Sequence, residues 1–542
     1  MPIDTPPWPA LTNAQRRDFL RRLAWAGAAA ATGSLPHSAW ATTRLRSQPF
    51  AWGVASGSPR DDGMVLWTRL APAALPAPNG PVPLRWELAH DEHFRRPVRS
   101  GEAIALPELG HSVHVELSGL PSDRWYFYRF TLGDATSAIG RTRTLAAPGA
   151  QVQRFRFAFA SCQRWEHGYY AAWRHLCAEQ PDAIVFLGDY IYEYASAKGP
   201  AAAALARSHP LRLARTLADY RDRYALHRSD PALQAAHALC PWIVTWDDHE
   251  VENDYAGDQG QEDPIDFLLR RTAAYQAFYE NMPLRSAALV HGLAGLDRPD
   301  AVRVNDRLAH GQLLRFHVLD TRQHRDFQAC RAPNSSGSGS VAPKDCPELT
   351  APGRSLLGTA QERWLQQGLA QDAHPNGPRW TVLAQQTLFS QRNYRAAPHA
   401  LYSTDSWDGY PAARQRLLNT LAQQPPRNTV FIGGDIHQNY VCRVLADYQR
   451  PESATIASEF CGTSVTSRSN TTQDKVDGVA RRNPHVLLAN CEHRGYSVAD
   501  VTPTSWITRL RVLDDVTRPD AQVSTLARFV VEDGRPGPVR DA

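Results

Sequence analysis

The chain has 542 residues, 43% of them apolar and 21% charged, and a formal net charge of +4. That length is too great for one compact core, so two domains or more are expected, with the composition of a soluble globular protein. The charge is weak and no long basic block follows residue 46, so nucleic acid is not the favoured partner.

The N-terminus differs from the rest. "QRRDFLRR" (Gln15 to Arg22) precedes the apolar run "LAWAGAAAATGSL", and "AWA" (Ala39 to Ala41) follows. A basic region, a short apolar segment and an A-x-A site make a secretory signal over residues 1–41. The run is too short and too alanine-rich to span a membrane. Arg16 and Arg17, followed by Phe19 and Leu20, resemble the twin-arginine signal, which implies the twin-arginine translocation machinery as a partner and a periplasmic or secreted destination. Among the eight cysteines no C-x-x-C pair occurs, which disfavours a zinc ribbon. Cys330 and Cys346 flank a Gly/Ser/Pro loop that a disulfide could staple in an exported protein.

Residues 48–147 predict a β-sandwich. Short, often alternating strands ("GMVLWTRL", "VPLRWELAH", "HSVHVELSGL", "WYFYRFTLG") are separated by turn signals at about ten-residue spacing. The stretch "GLPSDRWYFYRF" resembles the tyrosine-bearing strand of fibronectin type III-like domains. After a linker, residues 153–535 change pattern. Nearly continuous apolar strands end in polar clusters and alternate with helices expected over 169–179, 211–226, 266–281, 359–370 and 412–423. The segment after residue 440 returns to β character.

In sheets of this kind ligands bind at the carboxyl ends of the strands. There "FASCQ" places Cys162, "FLGDYIYEY" places Asp189 and Tyr192, "TWDDHE" places Asp247, Asp248 and His249, and "FIGGDIHQN" places Asp435 and His437. Each run alone has a bland reading as a turn, a core thiol or a solvated helix start. Four at equivalent topological positions point to a metal site, because crowded carboxylates are costly to bury unless a cation compensates them.

This order of motifs resembles the metallophosphoesterase superfamily. With "FAWGVASGSPRDDGMVLWTRL", "TWDDHEVENDYAG" and "FIGGDIHQNYV" it resembles, more closely, the PhoD-type alkaline phosphatases, over nearly the whole chain. The resemblance implies an α/β (α+β) fold, in which a fibronectin III-like β-sandwich precedes a four-layer metallophosphatase domain with central sheets flanked by helices. It implies hydrolysis of small-molecule or polymer phosphate esters by metal-activated hydroxide attack on phosphorus.

By position in the motifs, the resemblance implies that Asp189 bridges two metals. Fe(III) is expected at Cys162, Tyr192 and His437, donors that favour it over Mg²⁺ or Ca²⁺. Ca²⁺ is expected at Asp189, Asp248 and Asp435, with Asn253 as a further oxygen candidate, since an all-oxygen shell suits a hard ion. Cys162 and Asp435 stand where most of the superfamily carries an acid and a histidine. His249 holds the place of a substrate-contacting histidine, donating to a phosphate oxygen or protonating the leaving group; otherwise it orients a ligand from behind. Asp247 is either a further ligand or a loop holder, and Glu250 and Glu252 are structural. Gln385 or Gln386 is expected to line the pocket. Arg164 is expected to pair with phosphate or to make a surface salt bridge. A monomer is expected. The rival readings are a diesterase acting on phospholipids or teichoic-acid-like polymers, and a secreted binding module that kept the fold without the chemistry.

Overall fold

The computed structural model describes Leu45 and residues 47–331, 337–395 and 399–541; the signal segment lies outside them. Its centre is a ten-stranded sheet. Phe155–Ala160, Ala183–Leu187 and Trp242–Thr245 lie side by side in parallel, with Ile184 opposite both Ala158 and Trp242. Every residue of Ala183–Leu187 is buried, the signature of a strand covered on both faces. Four antiparallel strands, from Arg494–Val501 out to Arg535–Asp541, extend one side.

The other side is extended by N-terminal strands. Val54–Gly57 pairs parallel to Trp242–Thr245 through Gly57 and Trp242, and Val65–Arg69 and Ser112–Glu116 follow it. One layer of the expected sandwich is thus continuous with the large sheet. The second layer is a five-stranded sheet built on Val82–Ala89 and Trp125–Leu132. In Trp125–Leu132 burial alternates residue by residue, burying Tyr126, Tyr128 and Phe130 against Leu66 and Met64.

A seven-stranded sheet completes the centre. Leu314–Val318, Trp380–Ala384, Thr429–Gly433 and Thr455–Cys461 run parallel within it. The two large sheets share one core in which Phe157, Phe159 and Val185 pack with Phe316, Val382 and Ile432. The outer face of the first is covered by Ala171–Ala178, Pro231–Leu239 and Pro264–Asn281, and that of the second by Gly358–Asp372 and Pro411–Gln423. Helix, sheet, sheet and helix make the four expected layers.

Two helices were not foreseen, Pro231–Leu239 and Gln473–Arg482. The helix expected from residue 211 starts later, as Leu217–Arg228, because Thr216 and Asp219 form a capping box that sets its first turn. Cys330 and Cys346 are joined as a disulfide.

Candidate metal centre

The strands ending at Ala160, Leu187 and Thr245 finish side by side, and the strand ending at Gly433 finishes across from them in the second sheet. Past these ends the backbone turns back sharply. Cys162, Asp189, Asp435 and His437 all have φ between 55° and 64°. For residues other than glycine that conformation costs on the order of 1–3 kcal/mol each and persists only where the surroundings enforce it. Gly188 and Gly434 let the motifs touch. A Cβ on Gly188 would overlap Asp247, and one on Gly434 would overlap Ser161.

Two groups of donors result. Cys162, Asp189 and His437 bring ligand atoms within 4.8 Å of one another, and so do Asp189, Asp248 and His249. Asp189 belongs to both. Its Oδ2 accepts the Tyr192 hydroxyl at 2.7 Å, and that hydroxyl lies 3.1 Å from His437 Nε2. His437 Nδ1 lies 2.9 Å from the Arg468 carbonyl, so Nδ1 carries the hydrogen and Nε2 presents its lone pair. Ser467 ties the arrangement together, its Oγ lying 2.7 Å from the Tyr192 hydroxyl and 2.8 Å from the Cys162 carbonyl.

Burial, then the Asp189 carboxylate, pushes both the Cys162 thiol and the Tyr192 phenol well above their ordinary values. A cation beside them would oppose both shifts, and ligation by either residue would then release its proton.

The acidic side is built differently. Arg322, fully buried, bonds Asp247 through Nε and holds both oxygens of Asp405 at 3.1 and 2.9 Å. Its Nη2 lies 3.8 Å from Asp248 and 3.7 Å from Asp435. Arg325 adds a second contact to Asp405 at 2.5 Å. Asp248 is held below the ordinary carboxylate range: burial opposes its charge, but Arg322 and His249 overcome it. Asp435 is pushed up to about 7, by burial first.

Asp247 pairs with Arg322 through Oδ1, while its Oδ2 is buried without a hydrogen bond among the described residues, so one oxygen suits each of its two expected roles. Glu250 is structural, as expected, accepting the backbone N–H of Asp189 at 3.1 Å, Tyr190 at 2.5 Å and Asp247 at 2.8 Å. Glu252 pairs with Arg270. Asp435 falls outside the two tight groups of His, Cys, Asp and Glu donors. Asn253 is placed by its N–H to Glu193 at 3.0 Å, and its side chain makes no hydrogen bond among the described residues.

His249 donates from Nδ1 to Glu193 at 2.7 Å and packs on the Tyr192 ring at 4.1 Å. Burial disfavours its charge, but Glu193, Asp189 and Asp248 raise its pKa well above the ordinary value. One expectation is corrected. Gln385 and Gln386 do not line the crevice: both are fully buried, and their amides are spent on Thr387 and on Thr245, Trp246 and Leu319.

Sequence reasoning missed Arg322, Glu193, Ser467 and Arg468. Arg322 had a signal, since "LRFHVLDTR" is also an apolar strand ending in polar residues. Ser467 and Arg468 had none, because their loop carries no strand-end pattern.

Two sheets stacked face to face between helices, with one carboxylate shared by two donor groups at the strand ends, define a metallophosphatase architecture. A yellow lupin (Lupinus luteus) purple acid phosphatase has the same fold, with a TM-score of 0.50 at 10% identity over 88% of this chain and 74% of that one. The solved structure of PhoD matches with a TM-score of 0.84 and 42% identity over 92% of this chain and 94% of that one. Alkaline phosphatase D of Bacillus subtilis (strain 168) is 44% identical over 506 residues, 92% of this chain and 83% of the relative. Family models described as PhoD-like phosphatase and as its N-terminal domain match residues 157–510 and 36–146. The chain belongs to the PhoD-like phosphatase family.

Proposed function

We propose that this protein is an exported phosphatase that hydrolyses phosphate esters at a centre of Fe(III) and Ca²⁺. One observation carries the reading: Asp189 is shared by two donor groups, and its Oδ1 is buried with no protein partner. A buried carboxylate oxygen in that condition would be compensated by a cation, and Asp189 would serve both donor groups. Cys162, Tyr192 and His437 would hold Fe(III) with Asp189, a donor set suited to that ion. Asp248, Asp435 and Asn253 would hold Ca²⁺ with Asp189, as oxygen ligands do. When bound, the cations supply Lewis acidity toward water and toward the phosphoryl oxygens.

The chain's own residues do the rest. Glu193 fixes the His249 ring through Nδ1–H and its charge favours the protonated ring, so Nε2 would carry a proton for delivery to the departing alkoxide. The loop at Ser467 and Arg468 holds Tyr192 and His437 in register. Residues 48–147 and 153–535 are assigned as the N-terminal and catalytic domains. One feature supports export: the Cys330–Cys346 disulfide suits an oxidising compartment. Lysine at both Arg16 and Arg17 is expected to strand active precursor in the cytoplasm; unchanged export would overturn that route.

The test is a set of initial rates on p-nitrophenyl phosphate and bis-p-nitrophenyl phosphate, with chelator and with restored Ca²⁺ or Zn²⁺. Hydrolysis lost to chelator and returned better by Ca²⁺ is expected. No hydrolysis of either ester by metal-replete protein would overturn the phosphatase reading.

A further inference from the structure

Arg164 follows Cys162 by two residues and stands on the wall of the crevice. Its backbone is locked to the loop that supports the thiol side: its N–H donates to Ser467 Oγ at 3.1 Å, and its carbonyl accepts from Thr466 Oγ1 at 2.7 Å. Its guanidinium carbon lies 5.0 Å from the centre of the Tyr194 ring and 5.6 Å from that of Tyr192. Those two rings also pack His249, at 5.4 and 4.1 Å. The guanidinium is thus one side-chain layer from Asp189.

What Arg164 does not touch is as informative. Its Nε is buried without a hydrogen bond, and Glu166 Oε2, at 3.4 Å, is its one carboxylate neighbour among the described residues. Its terminal nitrogens donate to no protein acceptor among the described residues. The other arginines of the crevice are spent. Arg322 and Arg325 are taken by Asp247 and Asp405, and Arg494 by the carbonyls of His437, Ser467 and Cys491. Glu166 meets the guanidinium at Nε, the edge away from the two terminal nitrogens, and its other oxygen lies 3.3 Å from His209.

Building on the phosphatase reading, we propose that Arg164 grips the phosphoryl group of the substrate and biases the site toward phosphate monoesters over diesters. A planar fork of donors pairs with two oxygens of one phosphate. A monoester offers three non-bridging oxygens, so two can meet a fork while the cations draw on the set. A diester offers two, for which fork and cations compete.

The experiment compares wild type with Arg164→Gln and Arg164→Lys, each checked for metal content by elemental analysis. Losing a charge-assisted pair is expected to lower kcat/KM for p-nitrophenyl phosphate roughly 10- to 100-fold in Arg164→Gln, with a similar weakening of inorganic phosphate binding by calorimetry. On bis-p-nitrophenyl phosphate the loss should stay below about threefold. Arg164→Lys, which keeps the charge but not the fork, should fall between. Equal losses on both esters, or phosphate binding unchanged, would overturn the proposal. Loss of metal in either variant would also overturn it, by showing that Arg164 serves the centre rather than the substrate. If wild type hydrolyses neither ester, the phosphatase reading fails, and phosphate calorimetry alone then decides Arg164.

Discussion

On one side of the crevice Cys162, Tyr192 and His437 gather round Asp189, which has no arginine ion pair among the described residues. On the other side Asp247 and Asp405 are bonded to Arg322, which also lies within 3.8 Å of Asp248 and Asp435. The first side leaves its compensation to a cation from outside. The second carries a guanidinium of its own, which already offsets part of the carboxylate charge. A metal on the first side should therefore be held as a permanent part of the protein, and one on the second should exchange with solution.

The largest expected effect comes from removing the internal cation. Arg322→Met leaves buried carboxylates uncompensated and should destabilise the fold by about 3–5 kcal/mol, read from denaturant unfolding in chelator. Excess Ca²⁺ should restore part of that loss. An unchanged unfolding midpoint would show that the acidic side needs no guanidinium.

The thiol side is tested by colour. Thiolate and phenolate on Fe(III) give charge-transfer absorption that neither Ca²⁺ nor Zn²⁺ supports. Cys162→Ser should weaken or shift that band, Tyr192→Phe should remove its phenolate part, and each should cost about 10²-fold or more in activity. A colourless, iron-free and fully active protein would reduce Cys162 to core packing.

A smaller effect is expected where the two sides meet. Glu193→Gln keeps a hydrogen-bond acceptor beside His249 but removes the charge that raises its pKa. Activity should fall by about tenfold, within the range for partners that orient a site group. The alkaline limb of the rate profile should move to lower pH, because His249 would lose its proton earlier. A profile unmoved on that limb would remove His249 as the acid.

The smallest effect lies away from the crevice and separates fold stability from metal chemistry. Burial lowers His114, His310 and His485 to about 4. Their folded pKa values lie below the unfolded value of about 6.5, so the unfolded chain takes up protons first on acidification. Their contribution is complete above about 6.5 and is lost as pH falls toward 4. Glu459, raised to about 7 by burial, works in the opposite sense, as do Asp435 and Glu250, raised to about 7 and about 8, while His227 and His237, lowered well below the ordinary value by burial, act with the other three histidines. Thermal midpoints should drop between pH 7 and 4, and His310→Gln should flatten that drop. A drop just as steep in His310→Gln would remove His310 from the account.

The sequence was most legible where chemistry and topology coincide. Asp189, Asp248, Asp435, His437 and Cys162 each follow an apolar run in "FLGD", "WDDHE", "GGDIH" and "FASC", because the end of a buried parallel strand is where polar atoms first reach solvent. The layered fold was legible for the same reason, since strands such as Ala183–Leu187 must be apolar on both faces. The start of Leu217–Arg228 was not, because propensity alone would run the helix back past the Thr216 cap.

By itself, then, the chain's order of residues determined which strands are buried, where they end and which candidate ligand side chains stand at those ends, all of it local information carried by hydrophobic period and turn chemistry. Only the tertiary structure decided who compensates whom. Arg322 reaches Asp247 across 75 residues of sequence, and Ser467 reaches Tyr192 across 275. Such pairs leave no periodic mark, because they arise when two sheets stack and bring chain-distant loops to one crevice. There the low dielectric makes each unpaired charge expensive enough to require a partner.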